Sequence, residues 1–230
     1  MDLTSSGGRA RLLVAAGALF VVATIVAMLV YPGGAVFEEH ASHYLFFGNF
    51  FSDLGATETV SGHSNIASHV LFIIALGSVG LVFAWSAPSW NVWGAAGRAR
   101  VALRIADVVA VLSGFGFVGI AVTPWNHVLD AHNLFVRLAF GLLLVFIVCL
   151  TIVQIANRAP REWIVVNVVY LVVLAAYVVI LFAGPKLDTR DGLRFQVAAQ
   201  KIIVYASVVN LSVQAFAVAR RSREPVPAAR

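Results

Sequence analysis

The stretch LLVAAGALFVVATIVAMLVY, Leu12 to Tyr31, decides the fold class because it runs for a full membrane thickness without a charged residue. About 20 apolar residues in helical form span the hydrocarbon core of a bilayer. Five further apolar runs of similar length follow, at about 65–85, 101–123, 134–155, 163–183 and 197–218. A backbone in lipid must satisfy its hydrogen bonds internally, so each run, including the first at 12–31, is predicted to be a helix.

The composition of the chain agrees with this reading. Apolar residues make up 60% of the 230 residues, charged residues make up 12%, and the mean hydropathy is +0.90. Soluble domains carry about 25% charged residues, so a soluble or disordered chain is excluded. We therefore expect an all-α polytopic membrane protein, with a single integral domain over 1–230 that forms a six-transmembrane-helix bundle.

The basic residues predict the orientation of this bundle. Eleven of the sixteen Lys and Arg lie at one set of helix ends, while the segments 32–64 and 124–133 contain none. Cytoplasmic loops carry the excess of Lys and Arg, so both termini are predicted to be cytoplasmic, in the plasma (inner) membrane of a prokaryote. The same arginines account for the net charge of +5. We expect membrane lipids, or another membrane protein, as partners and no nucleic acid.

All six histidines lie on the opposite side, in or beside the two segments that lack Lys and Arg. The segment 35–63 is predicted to form an outer cap with a short interfacial helix. Phe46 and Phe50 are spaced i, i+4, which places both on the lipid-facing side of such a helix. The outer side therefore carries most of the chemistry in this chain.

Imidazole and carboxylate groups together are typical ligands of zinc. The expected metal ligands are His69, His127 and His132, with Asp53 or Asp130 as a fourth ligand or as the general base. Such a site would belong to a zinc-dependent hydrolase acting on lipids or amides at the outer leaflet. Haem held between His69 and His132 is a further alternative. The spacing matches no local zinc motif, so we favour the simpler interpretation, in which these groups cap helices and bond one another.

A second polar set is predicted to contact a substrate or an anionic headgroup, because ionisable residues within membrane spans are usually functional. The function expected first is therefore a ligand- or lipid-binding or accessory membrane subunit, with a small-solute transporter as another alternative. The members of this set are Arg137, Arg190, Arg194, Lys201, Ser52 and Asn65.

The sequence Gly114-Phe115-Gly116-Phe117-Val118-Gly119 matches the G-x-G-x-x-G pattern of dinucleotide-binding loops. It lies inside a predicted membrane helix and follows no strand, so it fails the structural context of that motif. Small residues on one helix face allow close helix packing in membranes. We expect this stretch to pack against a neighbouring helix.

Two stretches carry a resemblance to a known family. NFFSDLGATETVSGHSNIASHVLF, Asn49 to Phe72, and GIAVTPWNHVLDAHNLFVRLAF, Gly119 to Phe140, resemble the DUF998-like family of prokaryotic polytopic membrane proteins, and more distantly the Frag1/DRAM/Sfk1 type. The resemblance implies a six-helix membrane bundle and no particular activity. The residues that it singles out are Ser52, Asp53, Gly55, Asn65, Pro124 and His132.

Overall fold

The structure is a computed structural model of the chain and describes residues 2–94 and 96–223. Its six α-helices coincide with the six predicted runs, and each is long and apolar enough to cross a membrane. Arg230, one of the basic residues used to predict orientation, lies outside the described residues. The helices are α1 Ser6–Val30, α2 Ile66–Trp85, α3 Gly97–Val122, α4 Trp125–Ala156, α5 Arg161–Ala183 and α6 Arg190–Arg221.

The start of α4 differs from the prediction. The helix begins at Trp125, directly after Pro124, and continues through a kink at Val128 (φ −138°, ψ 59°). Proline fixes its own φ and is tolerated at the start of a helix, where its missing N–H would be unpaired in any case. The segment 124–133 is therefore the first part of α4 rather than a loop, and Asp130 lies within the helix rather than at its N-cap.

The helices form a ring in sequence order. Each helix packs against the next along the chain, and α6 returns to pack against α1. Side chains join helices across the ring, since Phe83 of α2 packs against Phe146 of α4 with 5.2 Å between the ring centroids. This arrangement leaves an interior that side chains must fill.

The two ends of the ring differ. The first turn of α1 lies against the end of α6, since a Cβ on Gly7 would sit 2.6 Å from the Ser222 hydroxyl. We call this end the terminal end. Residues 31–65 cover the opposite end, and we call them the cap.

The cap is built from turns rather than from the predicted interfacial helix. Residues 35–50 contain no helix, and a 3-10 helix follows at Phe51–Gly55. Gly33 and Gly34 begin the cap at φ 101° and 90°, a backbone region in which residues with a Cβ are strained. The Gly34 N–H then donates to the Ala41 carbonyl at 2.9 Å. The glycines thus reverse the chain at the top of α1, which the helical interpretation of 35–50 did not anticipate.

Candidate functional site

Asn65 joins the cap to α2. It occupies the N-cap position of that helix, but its side chain makes no capping hydrogen bond. Its amide Nδ2 instead donates to the carbonyls of Asp53, Leu54 and Ala56, at 3.2, 3.3 and 2.8 Å. A buried amide that binds three carbonyls of one short helix holds that helix in place. Asn65 is therefore already engaged within the protein.

Asn49 is the centre of the hydrogen-bond network in the cap, and it is completely buried. Its amide Nδ2 donates to the Gly34 carbonyl at 2.9 Å and to the Asp53 carboxylate at 3.0 Å. Its Oδ1 accepts from the Leu45 N–H at 2.9 Å. The Tyr44 hydroxyl donates to the backbone carbonyl of Asn49 at 3.1 Å. One side chain thus ties together the start, middle and end of the cap.

Lys201 inserts into this network from α6. Its side chain is buried, and Nζ donates to the Asn49 carbonyl at 2.6 Å. The ring centroids of Tyr44, Phe46 and Phe51 lie 5.1, 5.2 and 4.8 Å from Nζ. Aromatic faces attract a cation at this distance, and more strongly where water is excluded. The ammonium group is therefore enclosed by the cap rather than presented to a headgroup.

Asp53 lies beside this ammonium group and is also buried. Its carboxylate accepts from the Phe50 N–H at 2.9 Å as well as from Asn49. Burial raises the pKa of the Asp53 carboxyl from 3.8 to about 6, although these two hydrogen bonds and the charge of Lys201 oppose the shift. Burial and the Asp53 charge also raise the pKa of the Tyr44 hydroxyl, which stays neutral and donates.

The exposed rim of the cap is held by an ion pair. Arg190 at the start of α6 donates to the Glu38 carboxylate at 2.9 Å and to the Phe37 carbonyl at 3.0 Å. Arg194 approaches the same carboxylate at 3.5 Å. Exposed pairs of this kind contribute little to stability. Arg190 and Arg194, two of the three arginines in the predicted headgroup set, thus have a partner in the cap.

The cap also contacts the start of α4. The Thr57 hydroxyl lies 2.7 Å from His127 Nε2 and accepts from the Asn126 amide at 3.0 Å. Further along α4, His132 Nδ1 lies 2.7 Å from the Thr123 carbonyl. A carbonyl only accepts, so Nδ1 carries the proton, and Nε2 of the neutral ring is an acceptor.

The three predicted metal ligands each bond to a different part of the protein. His69 Nδ1 donates to the Gly55 carbonyl at 2.7 Å, while His127 contacts Thr57 and His132 contacts Thr123. Within residues 2–94 and 96–223, no group of three His, Cys, Asp or Glu side chains is placed to hold a metal ion. The zinc site stays a prediction, and we build no proposal on it.

The remaining predicted site residues lie apart from one another. Asp130 is exposed on α4. Arg137 is exposed further along that helix, with its guanidinium 5.7 Å from the Phe182 ring centroid of α5. The buried Asp53 and the exposed Asp130 therefore occupy different environments, and only Asp53 belongs to the cap network.

A cavity lies inside the ring, directly below the cap. Its volume is about 80 Å³, and it opens on one side. Its lining comes from every helix except α5, together with Phe51 and Ser52 of the cap. At 1.5 Å per residue, the lining from Gln200 to Ser212 on α6 extends for about 18 Å. This is more than half of the ~30 Å thickness of a bilayer core.

The polarity of this cavity is uneven. Its wall is apolar for most of its length, with aromatic and aliphatic side chains such as Phe20, Phe72 and Leu76. Ser52, His132 and Gln200 line the end below the cap, and Ser207 and Ser212 add two hydroxyls further along α6. The Gln200 Oε1 accepts from the Phe51 N–H at 2.7 Å, and its amide also hydrogen-bonds the Tyr177 hydroxyl. None of the described residues that line the cavity is charged.

The sequence analysis did not identify Asn49 and Tyr44, which complete the cap network. A signal for Asn49 was present, since it interrupts the run Phe46-Phe47-Gly48-Asn49-Phe50-Phe51. A lone amide among aromatic side chains must find partners when it is buried. No comparable signal pointed to the cavity, because its lining is spread over five helices.

The structure gives a physical reason for several residues of the DUF998-like pattern. A Cβ on Gly55 would lie 2.5 Å from the Phe72 ring, so the 3-10 helix approaches α2 too closely for a side chain there. Asp53 and Asn65 hold the same 3-10 helix, and Pro124 precedes α4. Comparison with protein-family models, with curated proteins and with solved structures finds no match to the chain. The family assignment stays a prediction.

Proposed function

We propose that this chain is a lipid-binding membrane protein, and that the cavity inside the ring holds one neutral lipid. The observation that carries the proposal is the cavity itself, which is long, apolar and uncharged, with three polar side chains at one end. A ligand of matching chemistry has a hydrocarbon chain and a small uncharged head with a hydroxyl, carbonyl or amide group.

The polar end determines which lipid binds. A hydrocarbon chain that leaves the bilayer for an apolar cavity gains little from the hydrophobic effect, since lipid tails are equally apolar. Selection then depends on shape and on hydrogen bonds to Ser52, His132 and Gln200. A hydrogen bond contributes about 0.5–1.5 kcal/mol net. A charged headgroup would find no counter-ion among the residues lining the cavity.

The test compares two adjacent valines on α6. Val208 lines the cavity, whereas Val209 is 61% exposed on the outer surface of the ring. Wild type, Val208→Phe and Val209→Phe are purified in the same detergent, and bound lipid is quantified by native mass spectrometry and by extraction. We expect one neutral lipid per wild-type chain, at least tenfold less in Val208→Phe, and no change in Val209→Phe.

A second variant guards against misfolding. Ser52→Ala removes one hydroxyl and leaves the size of the side chain almost unchanged. Because one hydrogen bond is lost, we expect the amount of retained lipid to fall two- to tenfold. The proposal is wrong if wild type carries only phospholipid in the proportions of the bulk membrane. Equal retention by wild type and Val208→Phe, with both folded by circular dichroism, would contradict it as well.

The proposed orientation places the cap outside the cell and both termini in the cytoplasm of a prokaryotic cell. It is supported by the ten described basic residues at the terminal end and by the absence of Lys and Arg from 32–64. Cysteine at the exposed His43 should react with an impermeant thiol reagent in whole cells, and cysteine at the exposed Arg98 should not. The reverse pattern would overturn the orientation, while the buried Cys149 serves as the unreactive background.

A further inference from the structure

A second cleft opens between α1 and α6 at the terminal end of the ring. Its volume is about 240 Å³, and it opens on one side. It shares no lining residue with the central cavity. The lining residues are Ala10, Arg11, Val14, Ala215, Phe216, Ala219, Arg220 and Arg223.

The cleft is basic at its mouth. Arg11, Arg220 and Arg223 are all exposed, and the Arg11 Nε donates to the Gly7 carbonyl at 3.0 Å, which steadies that side chain. No described residue that lines the cleft is acidic. The ion pairs in the described parts of the chain both involve Glu38, at the far end of the molecule.

Two described carboxylates at this end of the ring do not neutralise these arginines. Asp2 accepts hydrogen bonds from the Thr4 N–H and hydroxyl, at 2.8 and 2.7 Å. Glu162 borders an adjacent groove that Arg220 also lines, but no ion pair joins the two within residues 2–94 and 96–223. The cleft therefore has a surplus of positive charge.

The floor of the cleft is apolar. Val14 on α1 and Ala219 on α6 lie below the arginines, and Phe216 is 62% exposed beside them. Positive charge at the membrane surface above an apolar floor complements a phosphate group joined to an acyl chain. Basic pockets between membrane helices bind anionic headgroups for this reason.

We propose that this cleft binds one anionic phospholipid. The phosphate lies between Arg11 on α1 and Arg220 and Arg223 at the end of α6, and an acyl chain lies along Val14 and Phe216. Such a lipid bridges the first and last helices at the point where the ring closes. The proposal does not depend on the ligand of the central cavity.

The experiment uses the full chain in detergent, with dioleoyl phosphatidylglycerol as the probe. Binding is followed by native mass spectrometry and by the shift of the thermal midpoint during a lipid titration. Arg11→Gln/Arg220→Gln should bind this lipid about 25-fold more weakly, or about fivefold for each arginine. Arg98→Gln/Arg104→Gln removes the same charge from exposed positions on α3 and should bind as wild type does.

Two further probes separate specific binding from general attraction. Dioleoyl phosphatidylcholine and inorganic phosphate should each leave the thermal midpoint unchanged at concentrations where phosphatidylglycerol raises it. Equal weakening in the two double variants, or an equal response to phosphatidylcholine, would overturn the proposal. Val208→Phe should bind phosphatidylglycerol as wild type does, because Val208 does not line this cleft. This variant therefore distinguishes a failure of the central-cavity proposal from a failure of the cleft proposal.

Discussion

Helices α1 to α4 and helices α4 to α6 pack in two different ways. The backbones of α2 and α3 are in contact. A Cβ on Gly80 would lie 2.6 Å from the Gly114 carbonyl oxygen, and a Cβ on Gly114 would lie 2.5 Å from the Gly80 carbonyl oxygen. Gly116 is also close to the backbone of α4, because a Cβ added to it would lie 3.0 Å from the Ala139 Cα. We call helices α1 to α4 the small-residue half.

Helices α4 to α6 are joined by polar side chains, and we call them the polar half. The Asn167 amide donates to the Thr151 hydroxyl at 2.8 Å and accepts from Asn210 at 3.2 Å. Gln154 donates to Gln214 at 2.6 Å. These bonds link all three helices in the interior of the ring.

The difference between the halves shows two solutions to one problem. Helices in lipid gain no hydrophobic energy from association, so they associate through close packing or through hydrogen bonds between side chains. Close packing in the small-residue half brings backbones together, whereas the polar half holds its helices with longer side chains. The central cavity lies between these halves, and Lys201 connects the polar half to the cap.

The largest effect should come from the small-residue half. Gly114→Leu places a side chain against the Gly80 carbonyl and against Ala84, so α2 and α3 must separate. Overpacking of this kind lowers the free energy of unfolding by about 3 kcal/mol. We expect the variant to unfold at a lower denaturant concentration than wild type. Gly77→Leu is the matched control, because nothing lies within 4 Å of its Cβ position. A similar loss in both variants would show that the close contact is not the cause.

The next effect concerns the buried cation of the polar half. Lys201→Met keeps most of the side-chain volume but leaves the Asn49 carbonyl and the Asp53 carboxylate without their cation. Leaving a buried polar group without its partner costs about 1–3 kcal/mol. The cap should then become accessible to protease at a concentration that leaves wild type intact. Lys186→Met, an exposed lysine before α6, should behave as wild type.

The third prediction follows from the raised pKa of Asp53. Its pKa is about 6 in the folded protein and 3.8 in its ordinary environment, so the folded state binds more protons between these values. The free energy of unfolding must therefore fall as pH rises, by about 2 kcal/mol between pH 4 and 6 for this group. The groups around it include Asn49, the Phe50 N–H, Lys201, Trp125, Tyr31 and Tyr44.

The measurement compares the thermal midpoint of wild type with that of Asp53→Asn across this range. Asparagine does not titrate, so the wild-type midpoint should decrease relative to that of the variant as pH rises from 4 to 6. A constant difference between the two proteins would mean that the pKa of Asp53 is close to its ordinary value.

The smallest effect should come from a neutral pair in the polar half. Asn167→Leu removes the hydrogen bonds to Thr151 and Asn210. Hydrogen bonds between membrane helices average about 0.6 kcal/mol, so we expect a loss of about 1 kcal/mol in a denaturant titration. Val169→Leu, at a position 60% exposed on the same helix, should change nothing. A loss as large as that of Gly114→Leu would remove the distinction between the halves.

Some features could be predicted because they depend on residues that are close together in the sequence or on the residue type alone. The Gly114 to Gly119 stretch was expected to pack closely against a neighbour, and the contacts of Gly114, Gly116 and Gly119 confirm this. Asp53 and Lys201 were both identified as candidates, but with separate roles. The short interfacial helix expected within 35–63 is not seen over 35–50, because two glycines with positive φ and the buried amide of Asn49 favour turns over a regular helix.

The sequence by itself determined the six helices and the concentration of arginine at one end. Both follow from the bilayer, which requires each span to satisfy its backbone hydrogen bonds locally and which separates loops by charge. Only the tertiary structure decided that Lys201 reaches Asn49, 152 residues away, and that five helices enclose a cavity. These features depend on how the ring closes, which brings α6 back to α1 and places the cap over the interior. No local property of the chain encodes that closure.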